Sequence, residues 1–245
     1  QNNVMQIFKA NGYDITSFSG GLNVDMPMAD QQLCGSVLNV NAELYQSFVY
    51  TYLPISYLRA QFFDTYHSET LDCLFHTTLT FEKNNNTPIF MYVHMTLPHP
   101  PFVYDADGNS VPDTYSQNRF DSILKDAYLQ QTIFANKKTI EMVDSIQKRD
   151  GDAVIMVMSD HGGRLGVDWY NPTEMDYYRA LNNFGAFYFP GQEENMPEEI
   201  AAVNVFRIFF NLYLDADYEI LEDRQIWYTP DRPFDFIDVT DRLPT

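Results

Sequence analysis

The 245-residue sequence is poor in basic residues, in cysteine and in long apolar runs, and each shortage argues against a class of protein. Only 15 residues are Lys or Arg, against 34 that are Asp or Glu, which gives a formal net charge of −19. This charge argues against nucleic acid as a partner and against electrostatic docking on anionic lipid. An anionic substrate would need a local cation, and a bound metal ion supplies one.

A membrane span and a leader are also missing from the sequence. No run reaches the roughly 18 apolar residues of a transmembrane helix, and no charged start precedes an apolar core as in a signal peptide. The chain begins with Gln1 rather than with methionine. We therefore expect it to be a piece of a longer protein, so the missing span says little about that parent.

Cysteine occurs twice, as Cys34 and Cys73. The two residues share no close spacing and lie near no cluster of histidines, which argues against a cysteine-based metal site. The sequence leaves open whether they pair with each other.

What the sequence does have is apolar material in the periodicities of an α/β protein. Hydrophobic residues make up 45% and aromatic residues 16%, enough for one substantial core, so we expect a single domain over 1–245. The spacing of apolar and turn residues predicts helices over about 4–10, 45–53, 68–81 and 119–148, and another that starts at 197. Strands are predicted over 13–19, 89–96 and 183–190 and from 153 onward, and the tail from 227 is expected to be irregular or an edge hairpin. The helix over 119–148 is predicted to bury Leu129, Ile133, Ile140 and Val143.

The apolar run from Ala153 to Met158 is the stretch around which the other predicted elements are arranged. Its β-branched content and its position after Asp150-Gly151 predict a strand buried on both faces, as in a parallel sheet covered by helices. The strand at 89, the helix and this strand predict a right-handed crossover. In open α/β sheets ligands bind at the carboxyl ends of the strands, where this one delivers Asp160 and His161.

Asp160 and His161, followed by two glycines, suit a divalent cation such as zinc or manganese, and the glycines let backbone come close. The structural alternative is that Asp160 caps the next helix while His161 satisfies a hydrogen bond. Downstream, Arg164 either holds an anionic oxygen or balances an acidic surface.

Two further histidines follow the strand predicted over 89–96. His99 lies between prolines, which fix the backbone, and a rigidly held imidazole can donate to a non-bridging oxygen or act as an acid for a leaving oxygen. The alternatives are a surface-loop histidine for His99 and a satisfied core histidine for His94. Asp105-Ala106-Asp107-Gly108 looks like a calcium loop but lacks the later acidic ligand, so a turn is predicted there.

Ser159-Asp160-His161-Gly162, with Leu165-Gly166 beyond it, resembles the late metal motif of the alkaline phosphatase superfamily in its sulfatase-like branch. That branch includes sulfatases, phosphonate monoester hydrolases, lipoteichoic acid synthase and phosphoethanolamine transferases. Tyr92 to Phe102 resembles the family's histidine-containing strand end and loop, in the family's order. The stretches 182–190 and 204–207 are similar to the C-terminal portion of membrane-attached bacterial sulfatase-like proteins.

The resemblance implies an alkaline phosphatase-like fold with a mostly parallel central sheet flanked by helices. It assigns Asp160 and His161 to a divalent metal, zinc or manganese ahead of calcium, His99 to catalysis, and His94 and Arg164 to the substrate. It also implies in-line transfer through a covalent intermediate on a Thr, Ser or formylglycine nucleophile. No histidine follows His161, unlike in many relatives, which favours a single metal ion.

In relatives the nucleophile precedes the Gly-Tyr segment that Gly12 and Tyr13 resemble, and neither cysteine lies in the Cys-x-Pro-Ser-Arg context of formylglycine. We therefore expect this chain to be N-terminally truncated, to lack the nucleophile-bearing part and to be inactive alone. The resemblance places the parent on the periplasmic face of the bacterial inner membrane, anchored by segments absent here, acting on phosphate or sulfate esters that are lipid- or glycan-linked. The alternative is a non-catalytic, degenerate relative that serves as a binding or scaffolding domain.

Overall fold

The computed structural model describes residues 2–20, 26–34, 56–83, 86–111 and 122–243. The chain divides into two compact units, Gln1–Arg149 (unit 1) and Asp150–Thr245 (unit 2), and each is described by itself. The helix predicted over 45–53 lies outside the described residues. The expectation of a single domain stays a prediction.

Unit 1 is an α/β arrangement built on a parallel sheet. Its helices are α1 (Asn3–Ala10), α2 (Ser56–Thr80) and α3 (Ser122–Arg149), and its strands are β1 (Asp14–Gly20), β2 (Gln31–Leu33) and β3 (Ile89–Met95). The strands pair in the order β2-β1-β3, and both pairings are parallel. The prediction of a mostly parallel sheet flanked by helices is confirmed.

Apolar layers cover both faces of this sheet, because successive residues of a strand point to opposite sides. On one face Ile15 packs against Met5 of α1, together with Tyr92 of β3. On the other face Phe18 packs in a larger cluster with residues of α2 and α3, including Phe134. The sheet is therefore the middle layer of unit 1.

A disulfide joins Cys34, just after β2, to Cys73 on α2, which answers the question that the sequence left open. A second tie connects α2 to α3. The Arg149 guanidinium donates to the carbonyls of Thr78, Leu79 and Phe81 at 3.0, 2.7 and 2.9 Å. A cation at the end of α2 satisfies carbonyls that the helix itself leaves without partners.

The buried face of α3 differs from the predicted one. Leu129 and Ile140 are 52% and 62% exposed, so the prediction that they face the core is wrong. The buried residues of α3 are instead Leu124, Gln131, Phe134, Ala135 and Met142. Apolar spacing alone misjudged the face, because the true one includes a polar residue whose hydrogen-bonding groups are satisfied inside the core.

Unit 2 contains two antiparallel strand pairs and short helices. Its strands are β4 (Ile155–Met158), β5 (Gly185–Tyr188), β6 (Ile226–Thr229) and β7 (Arg232–Asp238), and its α-helices are α4 (Glu174–Leu181) and α5 (Val205–Tyr213). β4 pairs with β5 and β6 pairs with β7. The edge hairpin expected in the tail is confirmed, and its Trp227 is buried in a cluster with Tyr177, Ala180 and Val239.

The central apolar run forms a shorter and more exposed strand than predicted. Residues Ile155 to Val157 are half-buried and Met158 is 38% exposed, so the prediction of a strand buried on both faces is wrong. The reason is its pairing: β4 has an antiparallel partner, and such pairs tolerate one solvated face. The crossover predicted between the strands at 89 and 153 spans both units and stays a prediction.

The helix predicted from 197 exists, but its predicted start is wrong. A 3₁₀ turn covers Ala202–Asn204 and α5 begins at Val205. Asn204 precedes this start, and its buried side chain donates to the Leu221 carbonyl at 2.8 Å and accepts from the Leu221 N–H at 2.9 Å. Within the described residues, no helix combines the length and the apolar character that crossing a bilayer requires.

Candidate functional site

The loop that carries Asp160 and His161 is anchored at its start by Ser159. The Ser159 N–H donates to the Phe184 carbonyl at 2.9 Å, and its hydroxyl accepts from the Phe184 N–H at 2.7 Å. The Ser159 carbonyl accepts from the Asn183 side chain at 3.3 Å. The segment before β5 therefore holds every polar group of the residue that precedes Asp160.

The same loop is anchored at its other end by Gly162. Its N–H donates to the Ala180 carbonyl at 3.0 Å. A Cβ at this position would lie 2.1 Å from the Arg179 carbonyl oxygen and 2.7 Å from that of Asn182. The expectation that glycine lets backbone come close is confirmed, and the backbone that comes close is the last turn of α4.

The helix that receives Gly162 is itself fixed at its first turn. Thr173 and Asp176 form a capping box, in which the Thr173 N–H donates to the Asp176 carboxylate at 2.9 Å and the Asp176 N–H donates to the Thr173 hydroxyl at 3.3 Å. The backbone hydrogen bond from Thr173 is the main reason that the pKa of Asp176 lies below its ordinary value. The sequence therefore specifies where the helix on which the loop rests begins.

The two candidate metal ligands lie side by side between these anchors. The Nδ1 atom of His161 lies 2.7 Å from the Gly162 carbonyl oxygen. Because a carbonyl only accepts, Nδ1 must carry the proton, which leaves the Nε2 lone pair available. Nε2 lies 3.7 Å from Asp160 Oδ2, and the side chains of His161 and Asp160 are 31% and 89% exposed.

This geometry decides between the alternatives for Asp160. The next helix begins at Glu174 and its N-cap is Thr173, so the reading of Asp160 as a helix cap is wrong. The reading of His161 as a residue with a satisfied hydrogen bond is correct for Nδ1. The Nε2 atom of His161 and the exposed carboxylate of Asp160 are the groups that remain to bind a ligand.

The pair fits a metal ion as two ligands of a larger set. Metal bonds to imidazole nitrogen and carboxylate oxygen are roughly 2.0–2.2 Å long, so one ion can contact two atoms that are 3.7 Å apart. No three His, Cys, Asp or Glu side chains come together at ligand spacing within the described ranges. Asp160 and His161 therefore supply a two-ligand site, and the part of the chain that the structure describes adds no third ligand.

Arg164 is exposed and lies close to this loop in the sequence. Its guanidinium carbon lies 5.4 Å from the centre of the Trp169 ring. Trp169 in turn stacks on Trp227 with the ring centres 4.6 Å apart. Arg164 is thus held against an aromatic surface, and its role toward a substrate stays a prediction.

A cavity of about 290 Å³ adjoins the loop anchor, since Asn183 and Phe184 line it. Its other walls are mostly apolar, including Met158 and Ile200, and Glu198 is its charged residue. No sequence pattern indicates this cavity, because its walls come from segments up to 44 positions apart, from Met158 to Ala202.

Unit 1 carries the two remaining candidates. His94 is level with Ser19 across the parallel pair and lies on the α1 side of the sheet, half-buried, with its ring parallel to that of Tyr92 at 6.3 Å. His99 is exposed on the following loop, where its N–H donates to the Thr96 carbonyl at 2.8 Å. Its ring Nδ1 lies 2.5 Å from the Pro100 carbonyl oxygen, so Nδ1 is the protonated nitrogen here too. Their functional roles stay predictions.

The Asp105 loop is the turn that the sequence predicts. The Asp105 carboxylate accepts from the N–H groups of Asp107 and Asn109, both at 2.9 Å, and from the Asn109 side chain at 2.9 Å. These bonds lower the pKa of Asp105, the largest contribution coming from the Asn109 side chain. The carboxylate is engaged within its own turn.

Comparison with known proteins gives one family and one structural likeness. A family model described as Sulfatase matches residues 1–211. No curated protein matches the sequence closely enough to count as a relative. The crystal structure of Ps i-CgsB is similar, with a TM-score of 0.49 and 13% sequence identity, over 88% of this chain and 54% of that chain. The chain thus spans about half the length of that solved structure.

Proposed function

Because the chain belongs to the sulfatase family, we propose that it forms part of a metal-dependent hydrolase or transferase that acts on phosphate or sulfate esters. Family membership supports hydrolase or transferase chemistry in general. The proposal narrows this chemistry to ester cleavage at a divalent metal held by Asp160 and His161.

The observation that carries the proposal is the Asp160–His161 pair on a loop that is anchored at both ends. The Nε2 atom of His161 and the carboxylate of Asp160 are 3.7 Å apart, and Nδ1 of His161 is engaged with backbone. A hydrogen bond on one ring nitrogen orients the other toward a metal, as is usual for histidine ligands. A metal bound there would act as a Lewis acid and neutralise charge on the phosphoryl or sulfuryl oxygens.

The remaining roles concern the substrate. We propose that His99 uses its solvent-facing imidazole to donate a proton to the leaving oxygen or a hydrogen bond to a non-bridging oxygen. His94 and Arg164 are proposed to bind substrate oxygens. Arg164 and a bound metal would offset locally the net charge of −19, which would otherwise repel an anionic ester.

We also propose an extracytoplasmic location at the bacterial inner membrane, with a lipid- or glycan-linked ester as substrate. The disulfide between Cys34 and Cys73 supports the location, because disulfides persist in oxidising compartments such as the periplasm. The family match is to enzymes, so it does not favour the alternative of a non-catalytic binding domain.

The test is hydrolysis of aryl phosphate, aryl phosphodiester and aryl sulfate by the full-length protein, with and without added Mn²⁺ or Zn²⁺. Turnover of one ester class should need metal, and Asp160→Asn or His161→Gln should lower kcat/KM by about 100-fold or more. Asp152→Asn, which removes an exposed carboxylate before β4, is the matched control and should leave the rate unchanged. Metal-independent turnover, or full activity in both site variants, would overturn the proposal.

A further inference from the structure

The loop that carries His99 is held by one buried side chain on α3. Gln131 is 0% exposed. Its Nε2 donates to the carbonyls of His99 and Pro101 at 3.1 and 3.2 Å. Its Oε1 accepts from the N–H groups of Val103 and Tyr104 at 2.9 and 3.3 Å.

These four hydrogen bonds use the full capacity of the amide. A glutamine side chain offers two N–H donors and two acceptor lone pairs, and all four are occupied. Burying an amide without partners would cost roughly 1–3 kcal/mol in a protein, so a saturated buried amide is compatible with one loop arrangement and disfavours others.

The loop needs such a partner because of its own sequence. Pro98, Pro100 and Pro101 have no N–H, so His99 is the only residue of 98–101 with a backbone donor, and that N–H is used on the Thr96 carbonyl. Gln131 donates to the carbonyls on both sides of Pro100, and Pro100 provides the carbonyl that accepts from the His99 ring. The Pro100 carbonyl, which orients the His99 imidazole, therefore lies between two carbonyls that both accept from Gln131.

We propose that Gln131 is a positioning residue for His99, acting through the loop backbone to hold the Nδ1-protonated ring with Nε2 toward solvent. The catalytic consequence rests on the proposed function of His99, whereas the positioning itself does not. The adjacent Gln130 provides a comparison, since its Oε1 accepts from the Ala106 N–H at 3.2 Å and not from the backbone of 99–104.

The test records long-range ¹H–¹⁵N spectra of the full-length protein labelled with ¹⁵N-histidine, and His99→Gln identifies the His99 signals. In the unsubstituted protein the His99 signals should show the Nδ1–H tautomer. Gln131→Met, which has similar length but no hydrogen bonds, should shift the signals toward the Nε2–H tautomer that free histidine prefers. Gln130→Met should leave them in place. Unchanged His99 signals in folded Gln131→Met protein would overturn the proposal.

A second variant covers the case in which Gln131→Met does not fold. Gln131→Glu retains an acceptor for Val103 and Tyr104 and, at neutral pH, loses the donors to His99 and Pro101. It should change the His99 signals as Gln131→Met does, and unchanged signals would again contradict the positioning role.

Kinetics separate this inference from the proposed function. If His99 acts on the substrate, Gln131→Met should lower kcat by about 10- to 100-fold with KM changed by less than about threefold, since small misplacements of a reacting group are costly. A changed His99 spectrum with unchanged kcat would uphold the positioning role and contradict the proposed role of His99.

Discussion

The two candidate loops are held by opposite means. In unit 1 the His99 loop is rich in proline, and a side chain, Gln131, bonds to its backbone. In unit 2 the Asp160–His161 loop is rich in glycine, and the Gly162 N–H bonds directly to the Ala180 carbonyl. The proline-rich loop has few N–H groups and takes its donors from a side chain of another element, whereas the absence of a Cβ at Gly162 lets that loop pack its own backbone on a helix.

This difference predicts which kind of substitution disturbs each loop. The His99 loop should respond to the loss of a polar group far from its own sequence. The Asp160–His161 loop should respond to the addition of a single methyl group at 162. Substitutions in one unit can therefore be compared with substitutions in the other.

The largest effect on stability is expected from removing the disulfide of unit 1. Replacing both Cys34 and Cys73 by Ser should lower the free energy of unfolding by about 4 kcal/mol, because the disulfide closes a loop over a sequence separation of 39. Urea titrations followed by circular dichroism should show the change. Trp169 and Trp227 both lie in unit 2, so their fluorescence should shift less. An unchanged dichroism midpoint would contradict the prediction.

The next effect is expected at the glycine of unit 2. Gly162→Ala should destabilise unit 2 by about 3 kcal/mol, because the new methyl group would overlap the carbonyls of Arg179 and Asn182. The measurement is the urea midpoint of tryptophan fluorescence. Gly166→Ala is the matched control: Gly166 has φ +77° and nothing within 4 Å of an added Cβ, so only about 1 kcal/mol of backbone strain is expected. Equal effects of the two substitutions would argue against the close packing of Gly162.

The smallest effect is expected at the capping box that supports the same loop. Asp176→Asn should cost about 1 kcal/mol at pH 7, because the carboxylate accepts from the Thr173 N–H and hydroxyl. The pKa of Asp176 is lowered in the folded protein, so its stabilisation is present above the unfolded pKa of about 3.9 and is lost as pH falls through the lower folded value.

The effect of Asp176→Asn is measured by thermal unfolding of the unsubstituted protein and the variant from pH 7 to pH 2. The difference between them should be constant at neutral pH and shrink below about pH 4. Glu174→Gln, which removes an exposed acid from the same first turn, should cost only a few tenths of a kcal/mol. A difference that grows on acidification would contradict the assignment.

The sequence predicts the elements of this protein better than it predicts their faces. Periodicity located β3 almost to the residue, at Ile89–Met95, and α3 at Ser122–Arg149. It misjudged the buried face of α3 because Gln131 is polar. The helical spacing nevertheless places Gln131 on the buried side. It lies seven positions after Leu124 and four positions before Ala135, and both of these residues are buried.

The candidate site also has a part that the sequence predicts and a part that it does not. Asp160 and His161 are neighbours in the sequence, so their proximity needed no knowledge of the fold. The anchors Ser159, Gly162 and Gln131 bind backbone groups that are 18 to 32 positions away, and no local pattern encodes such contacts. Sequence therefore identified groups that carry chemistry, while their positioning became visible only in three dimensions.

The most direct test of the account is metal binding by the Asp160–His161 pair, measured by isothermal titration calorimetry with Mn²⁺ and Zn²⁺. We expect one ion to bind per chain, and we expect Asp160→Asn and His161→Gln each to remove that binding while Asp152→Asn retains it. Stoichiometric binding that survives in the double variant Asp160→Asn/His161→Gln, or no binding by the unsubstituted protein, would contradict the account.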